Sequence, residues 1–136
     1  MNQLESYGAT LLRVSLGVIF LVHSAYLKVV VFTVPGTVGF FESLGLPGLS
    51  AYAVIAAEIV GSVFLILGIK VREVALILAA ISLGATWAHW NFGWLFTNAG
   101  GGWEYPLFLA VTCGVQALLG AGELRLNLPR FSLLHA

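Results

Sequence analysis

Residues 50–69 read SAYAVIAAEIVGSVFLILGI, twenty positions with one ionisable side chain, Glu58, near the middle. At about 1.5 Å per residue, such a helix is about 30 Å long, the thickness of a bilayer's hydrocarbon core. A carboxylate at that depth costs roughly 2.5–3.5 kcal/mol or more, so it faces a bundle interior or a water-filled cavity. The stretch therefore predicts a transmembrane helix with a functional or structural acid on its inner face.

The rest of the chain repeats the pattern. Of 136 residues, 60% are hydrophobic and 9% charged, and the mean hydropathy is +0.99. Soluble domains carry about 25% charged residues; this surface must be wetted by lipid instead. Four spans are expected, at residues 9–34, 50–69, 74–96 and 104–121, within one domain covering 1–136. Pro35-Gly36, Gly45-Leu46-Pro47-Gly48 and Gly100-Gly101-Gly102 punctuate the gaps. The first run is too long, and His23 and Lys28 too deep within it, for a cleaved signal peptide with an h-region of about 7–15 residues. It is read as a retained helix. The short connection Ile69–Glu73 makes the second and third spans a tight antiparallel pair.

The expected fold is thus an all-α, integral membrane four-helix bundle. Arg13, Lys70, Arg72, Arg125 and Arg130 fall on one side, against Lys28 near the other. The positive-inside rule then puts both termini in the cytoplasm. Those arginines, with Lys70 and Glu73, read as interfacial anchors, Glu42 as a solvated loop charge and His135 as part of a disordered end. Trp87, Trp90, Trp94 and Trp103 fall toward the outer side, where an aromatic belt is expected; Trp87 and Trp90, flanking His89, are also candidates for a pocket wall. Small residues recur at Ala57/Gly61, Ala80/Gly84/Ala88 and Ala110/Gly114, spacing that lets helices approach closely in lipid.

Net charge is zero with no basic stripe, which argues against nucleic acid as a partner. Cys113 is alone, so neither an internal disulfide nor a CxxC pair can form, and electron transfer would need a bound cofactor or another subunit. What remains is a convergence of ionisable groups in one half of the membrane: His23, Lys28, Glu58, His89 and Glu104. Three readings stand. Glu58 pairs with Lys28 or a histidine and locks helix register. Or the cluster binds a quinone or small polar molecule, with His23, Lys28, Glu58, Trp87, His89, Trp90 and Glu104 as ligand contacts and Glu58, His89 and His23 as proton-transfer groups. Or His23, Glu58, His89 and Glu104 hold a metal, although no local motif such as HExxH supports it. A solute or proton pathway is a further option. The glycine-rich loop before Trp103-Glu104-Tyr105-Pro106 could close over the cavity as a lid; the simpler reading is a helix start with Pro106 in its first turn.

The run Arg13-Val-Ser-Leu-Gly17-Val-Ile-Phe20-Leu-Val-His23, then Lys28, resembles the first-helix signature of DoxX proteins. So do Phe41-Glu-Ser-Leu-Gly45-Leu46-Pro47 leading to Glu58, Gly61, Leu67-Gly68 and Arg72, and His89 with Gly93 and Gly101-Gly102-Trp103-Glu104-Tyr105-Pro106. The signature commonly has glycine after the histidine; here Ser24 is small and adds a hydroxyl. The resemblance implies a four-helix bacterial inner-membrane protein, similar to a membrane subunit of thiosulfate:quinone oxidoreductase. It implies a redox role, with a quinone as candidate cofactor and membrane redox subunits as candidate partners. No self-contained catalytic motif accompanies it, so a non-catalytic assembly subunit docking a larger complex is the alternative.

Overall fold

The computed structural model describes residues 1–127; Arg130 and His135 lie outside them. The described residues are all helix, turn and loop. Helix α1 (Gln3–Leu21) starts on a capping box: the Asn2 side chain accepts from the Glu5 N–H, and the Glu5 carboxylate accepts from the Asn2 N–H. It runs without a break into a π-helical segment, Val22–Val31. The two make one apolar span, Gln3–Val31, starting and ending earlier than the expected 9–34.

The segment that follows, expected as a loop, is a helix: α2, Val34–Ser43. Pro35 sits in its first turn, where a missing N–H costs nothing, and the Thr33 side chain accepts from the Gly36 N–H. Thr33 has φ 64°, a left-handed value rare for a β-branched residue; it turns the chain back so that α2 packs on α3 and on the π segment. Thr37 Oγ1, buried, lies 2.9 Å from the carbonyl oxygens of both Lys28 and Thr33.

Helix α3 (Gly48–Leu67) ends in a left-handed Gly68, with the Ile69 N–H donating to Phe64 O at 2.9 Å. Helix α4 spans Val71–Ala88 and stops well short of the expected Phe96, followed by a 3₁₀ turn at Trp90–Phe92. Helix α5 covers Glu104–Leu119. Three helices, Gln3–Val31, Gly48–Leu67 and Val71–Ala88, are long and apolar enough to cross a membrane, and α5 is shorter. At about 1.5 Å per residue it reaches about 24 Å. The outward faces carry Leu11, Val18, Leu76, Leu83, Phe108 and Leu118, all exposed, as lipid requires.

The tightest packing is not between α3 and α4, although they are adjacent; α4 lies most extensively on α5, and α1 on α3. A core of Leu16, Phe20, Leu65, Val71, Val74, Leu78, Leu109 and Cys113 joins the two layers. Where α1 meets α3, a β-carbon on Gly17 would stand 2.6 Å from Ile66 Cγ1 and 3.0 Å from Ser62 O. Gly61 faces Leu78 and Val74 of α4, whereas Gly84 and Gly114, members of the small-residue stripes, face open space.

Arginines close one end. Arg13 is 1% exposed, not an interfacial anchor; its guanidinium donates to Leu65 O and Ile66 O at the end of α3 and to Leu124 O. Arg72 donates to Ala117 O and Leu118 O at the end of α5. Helix C-termini leave carbonyls without intrahelical partners and favour cations, so both guanidiniums act as caps. Residues 120–126 cross the same end: Leu126 N–H donates to Leu67 O, Glu123 N–H to Thr10 Oγ1, and Ser6 Oγ to Glu123. The start of α1 and the segment after α5 therefore share this arginine end, while the four tryptophans mark the other.

Candidate functional site

Two helices bring chemistry together where the π segment meets α3. Glu58 is 4% exposed, and its Oε2 accepts from both Lys28 Nζ and Ser24 Oγ. Of the partners considered from sequence for Glu58, the structure selects Lys28 as the ion pair. Ser24, completely buried, is the contact that sequence reasoning missed. The signal was its hydroxyl, four residues before Lys28 on the same helix. The pair is asymmetric: the Glu58 side chain is 5% exposed but the Lys28 side chain 22%. Of the two side chains, Lys28 is the one that meets the surroundings.

The backbone under this pair is unusual. His23, Ser24 and Lys28 all lie on the ten-residue π segment. π-Helical turns are rare, mostly single-turn bulges, and frequent at functional sites. Helix α2 closes over this segment through Thr37.

The histidines stand apart. His23 is fixed by a 3.0 Å contact from Nδ1 to Ile19 O and stacks on Tyr105 of α5 with ring centroids 5.6 Å apart. His89, at the end of α4, holds Ala85 O at 2.8 Å through Nδ1 and faces the rings of Phe40 and Phe92, each 6.0 Å away. Glu104 opens α5 and accepts the Phe96 N–H at 3.2 Å. Among the described residues no three His, Cys, Asp or Glu side chains stand close enough to share a metal ion; His23, Glu58, His89 and Glu104 are not gathered into one ligand set. Trp87 is 58% exposed, and Trp90 stacks on Trp103 at 4.5 Å, so neither is enclosed.

The loop from Gly93 to Trp103 is knitted to its surroundings. Trp103 N–H donates to Gly93 O, Glu104 N–H to Trp94 O, and Asn98 Nδ2 to Phe92 O. Gly102 is buried against the backbone of Trp94 and Leu95, where a β-carbon would collide. The glycines there serve close approach. The two clearest clefts lie away from the ion pair: one between α3 and α4 around Gly61, the other between this loop and α5.

The Lys28–Ser24–Glu58 centre, His23 and His89 all fall inside a stretch, residues 8–90, that matches the DoxX family model. Glu104 lies beyond it. A protein of Bacillus subtilis (strain 168) named "Putative oxidoreductase CatD" is 38% identical over 87 residues, which is 62% of this chain and 61% of that protein. The chain thus spans less than two thirds of that relative's length. No solved structure matches. The model match takes in more than half of the chain, including α1, the π segment, α2, α3 and α4, and the protein belongs to the DoxX family.

Proposed function

We propose that this DoxX protein is the membrane subunit of a quinone- or sulfur-linked redox system in the bacterial inner membrane, with both ends of the chain in the cytoplasm. The observation that carries the proposal is the buried Glu58 carboxylate paired with Lys28 and Ser24 on a π-helical segment. The oxidoreductase name of the Bacillus subtilis relative supports the same class of chemistry.

Lys28 carries its ammonium on a partly accessible side chain in an apolar setting, and its remaining N–H donors suit a carbonyl or oxyanion of a small ligand. Glu58 accepts from that ammonium and orients it. Ser24 satisfies the carboxylate and can hand on a proton. His23 and His89 sit on flanking faces, each with Nδ1 held by a carbonyl and Nε2 left to act, and each is the residue type that exchanges protons near neutral pH. A bound quinone would supply the capacity to take up two electrons and two protons. The electrons come from a partner subunit under this proposal.

The test is protein purified with its native lipids, extracted and analysed by mass. A quinone should accompany the wild type and be lost from Lys28→Met, with the fold intact by circular dichroism. A second reading is favoured by one detail: Glu58 Oε2 already receives both donors, as expected of a register lock in an assembly subunit. That reading wins if no quinone or other small molecule is ever retained and Lys28→Met only lowers thermal stability.

A further inference from the structure

Outside the ion-pair centre, the groove between the 93–103 loop and α5 has a composition of its own. It encloses about 530 Å³ and is lined by Trp94, Phe96, Glu104, Tyr105, Phe108 and Val111 among others. Four of its lining side chains are aromatic (Trp94, Phe96, Tyr105 and Phe108), Leu107 and Val111 are aliphatic, and among the described residues its one charged group is the Glu104 carboxylate. Glu104 accepts one backbone N–H from Phe96, and its second oxygen has no hydrogen-bond partner among the described residues. An ionised carboxylate can only accept, so its complement must donate. Aromatic rings beside it add attraction for a cation through their π faces.

Beyond the groove, the outward face of α5 carries on as an exposed apolar strip. Phe108, Val111, Val115 and Leu118 are all exposed along one side of α5. From Glu104 to Leu118 the helix rises about 21 Å at about 1.5 Å per residue, longer than the roughly 15 Å of one leaflet's hydrocarbon. Charged head at one end and acyl-length track below it match an amphiphile.

We propose that this groove binds a phospholipid with a primary ammonium headgroup, its ammonium on Glu104 between Trp94 and Tyr105 and one acyl chain along Phe108 and Val111. A primary ammonium donates hydrogen bonds to the carboxylate as well as engaging the rings; a quaternary one can do only the second. The site stands apart from the Lys28–Glu58 centre, and its test is independent of any redox activity.

The full chain is reconstituted in vesicles of equal phosphatidylethanolamine, phosphatidylcholine and phosphatidylglycerol, extracted in mild detergent, and its retained lipids counted by native mass spectrometry. Phosphatidylethanolamine should be enriched about two- to fivefold over the other two. Glu104→Gln keeps the acceptor for Phe96 and hence the loop, but should bring the three lipids to parity. Phe108→Ala should lower retention of all lipids without changing the headgroup preference of what remains. Equal retention of phosphatidylglycerol by the wild type would reduce the groove to ordinary annular contact and overturn the proposal. Equal retention of phosphatidylcholine, or an unchanged preference in Glu104→Gln, would equally overturn it.

Discussion

Replacing Gly17 with alanine tests whether α1 and α3 are held by backbone contact. The new β-carbon would stand 2.6 Å from Ile66 Cγ1 and 3.0 Å from Ser62 O. Carbon atoms prefer about 3.5–4.0 Å, so the shortfall against Ile66 is about 1 Å. Ser62 O is backbone, and Ile66 Cγ1 is placed by χ1, which a β-branched residue within a helix holds to one strongly preferred rotamer. The helices must part, and overpacking of this kind costs about 1–3 kcal/mol. Gly84→Ala is the control, because nothing lies within 4 Å of its would-be β-carbon, and alanine should gain up to about 1 kcal/mol in helix propensity there. Unfolding in mixed micelles, followed by circular dichroism as sodium dodecyl sulfate is titrated in, should place the Gly17→Ala midpoint below wild type and the Gly84→Ala midpoint at or above it. Lipid gives helices no hydrophobic drive to associate, so close packing carries the interface. Equal midpoints for the two variants would refute the argument.

Three further outcomes follow from the same geometry. Glu58→Leu strands a partly buried ammonium and should destabilise by roughly 3 kcal/mol, whereas Lys28→Met combined with Glu58→Leu should recover most of that loss; a double variant as unstable as Glu58→Leu alone would show that the ion pair is not what couples the π segment to α3. Arg13→Leu leaves the Leu65, Ile66 and Leu124 carbonyls unmatched and should cost about 1–3 kcal/mol in the same titration, more than Arg125→Leu on the exposed tail; similar costs would refute the capping role. With both ends in the cytoplasm, a membrane-impermeant thiol reagent added from outside should label a cysteine placed at Gly101 and miss one at Arg72, and the reverse pattern would invert the proposed topology.

The helical, membrane-suited character was legible in run length and in the scarcity of charge, since both are set by the thickness and dryness of the bilayer. Glu58 was legible as a buried acid in need of a partner because a lone carboxylate in lipid has no other resting place. Helix α2 was hidden because Pro35-Gly36 reads as a stop after one span, while the same proline suits the first turn of the next helix. The π segment was hidden because Val22–Val31, with His23, Ser24 and Lys28 set among apolar residues, carries no period to betray a changed winding. Arg13 was taken for an anchor because position along the chain says nothing about which helix end lies across from it. Its burial follows from the carbonyls at the end of α3, a demand visible only once α1 and α3 are side by side. Glu104, His89 and Lys28 are each claimed by a different neighbour: the Phe96 N–H, Ala85 O and Glu58.

The two arginine caps and the 120–126 crossing have a mechanical consequence. They tie the end of α3 to α1 and the end of α5 to α4, so the bundle is built like forceps, with its charged clamps at the base and a loop held by backbone bonds at the tips. Separation of the helices should start at the tryptophan tips, away from the guanidinium clamps. The amide hydrogens of the core residues Leu65 and Ala117 should then exchange more slowly than those of residues 93–103, and the base should keep its shape while the tips part.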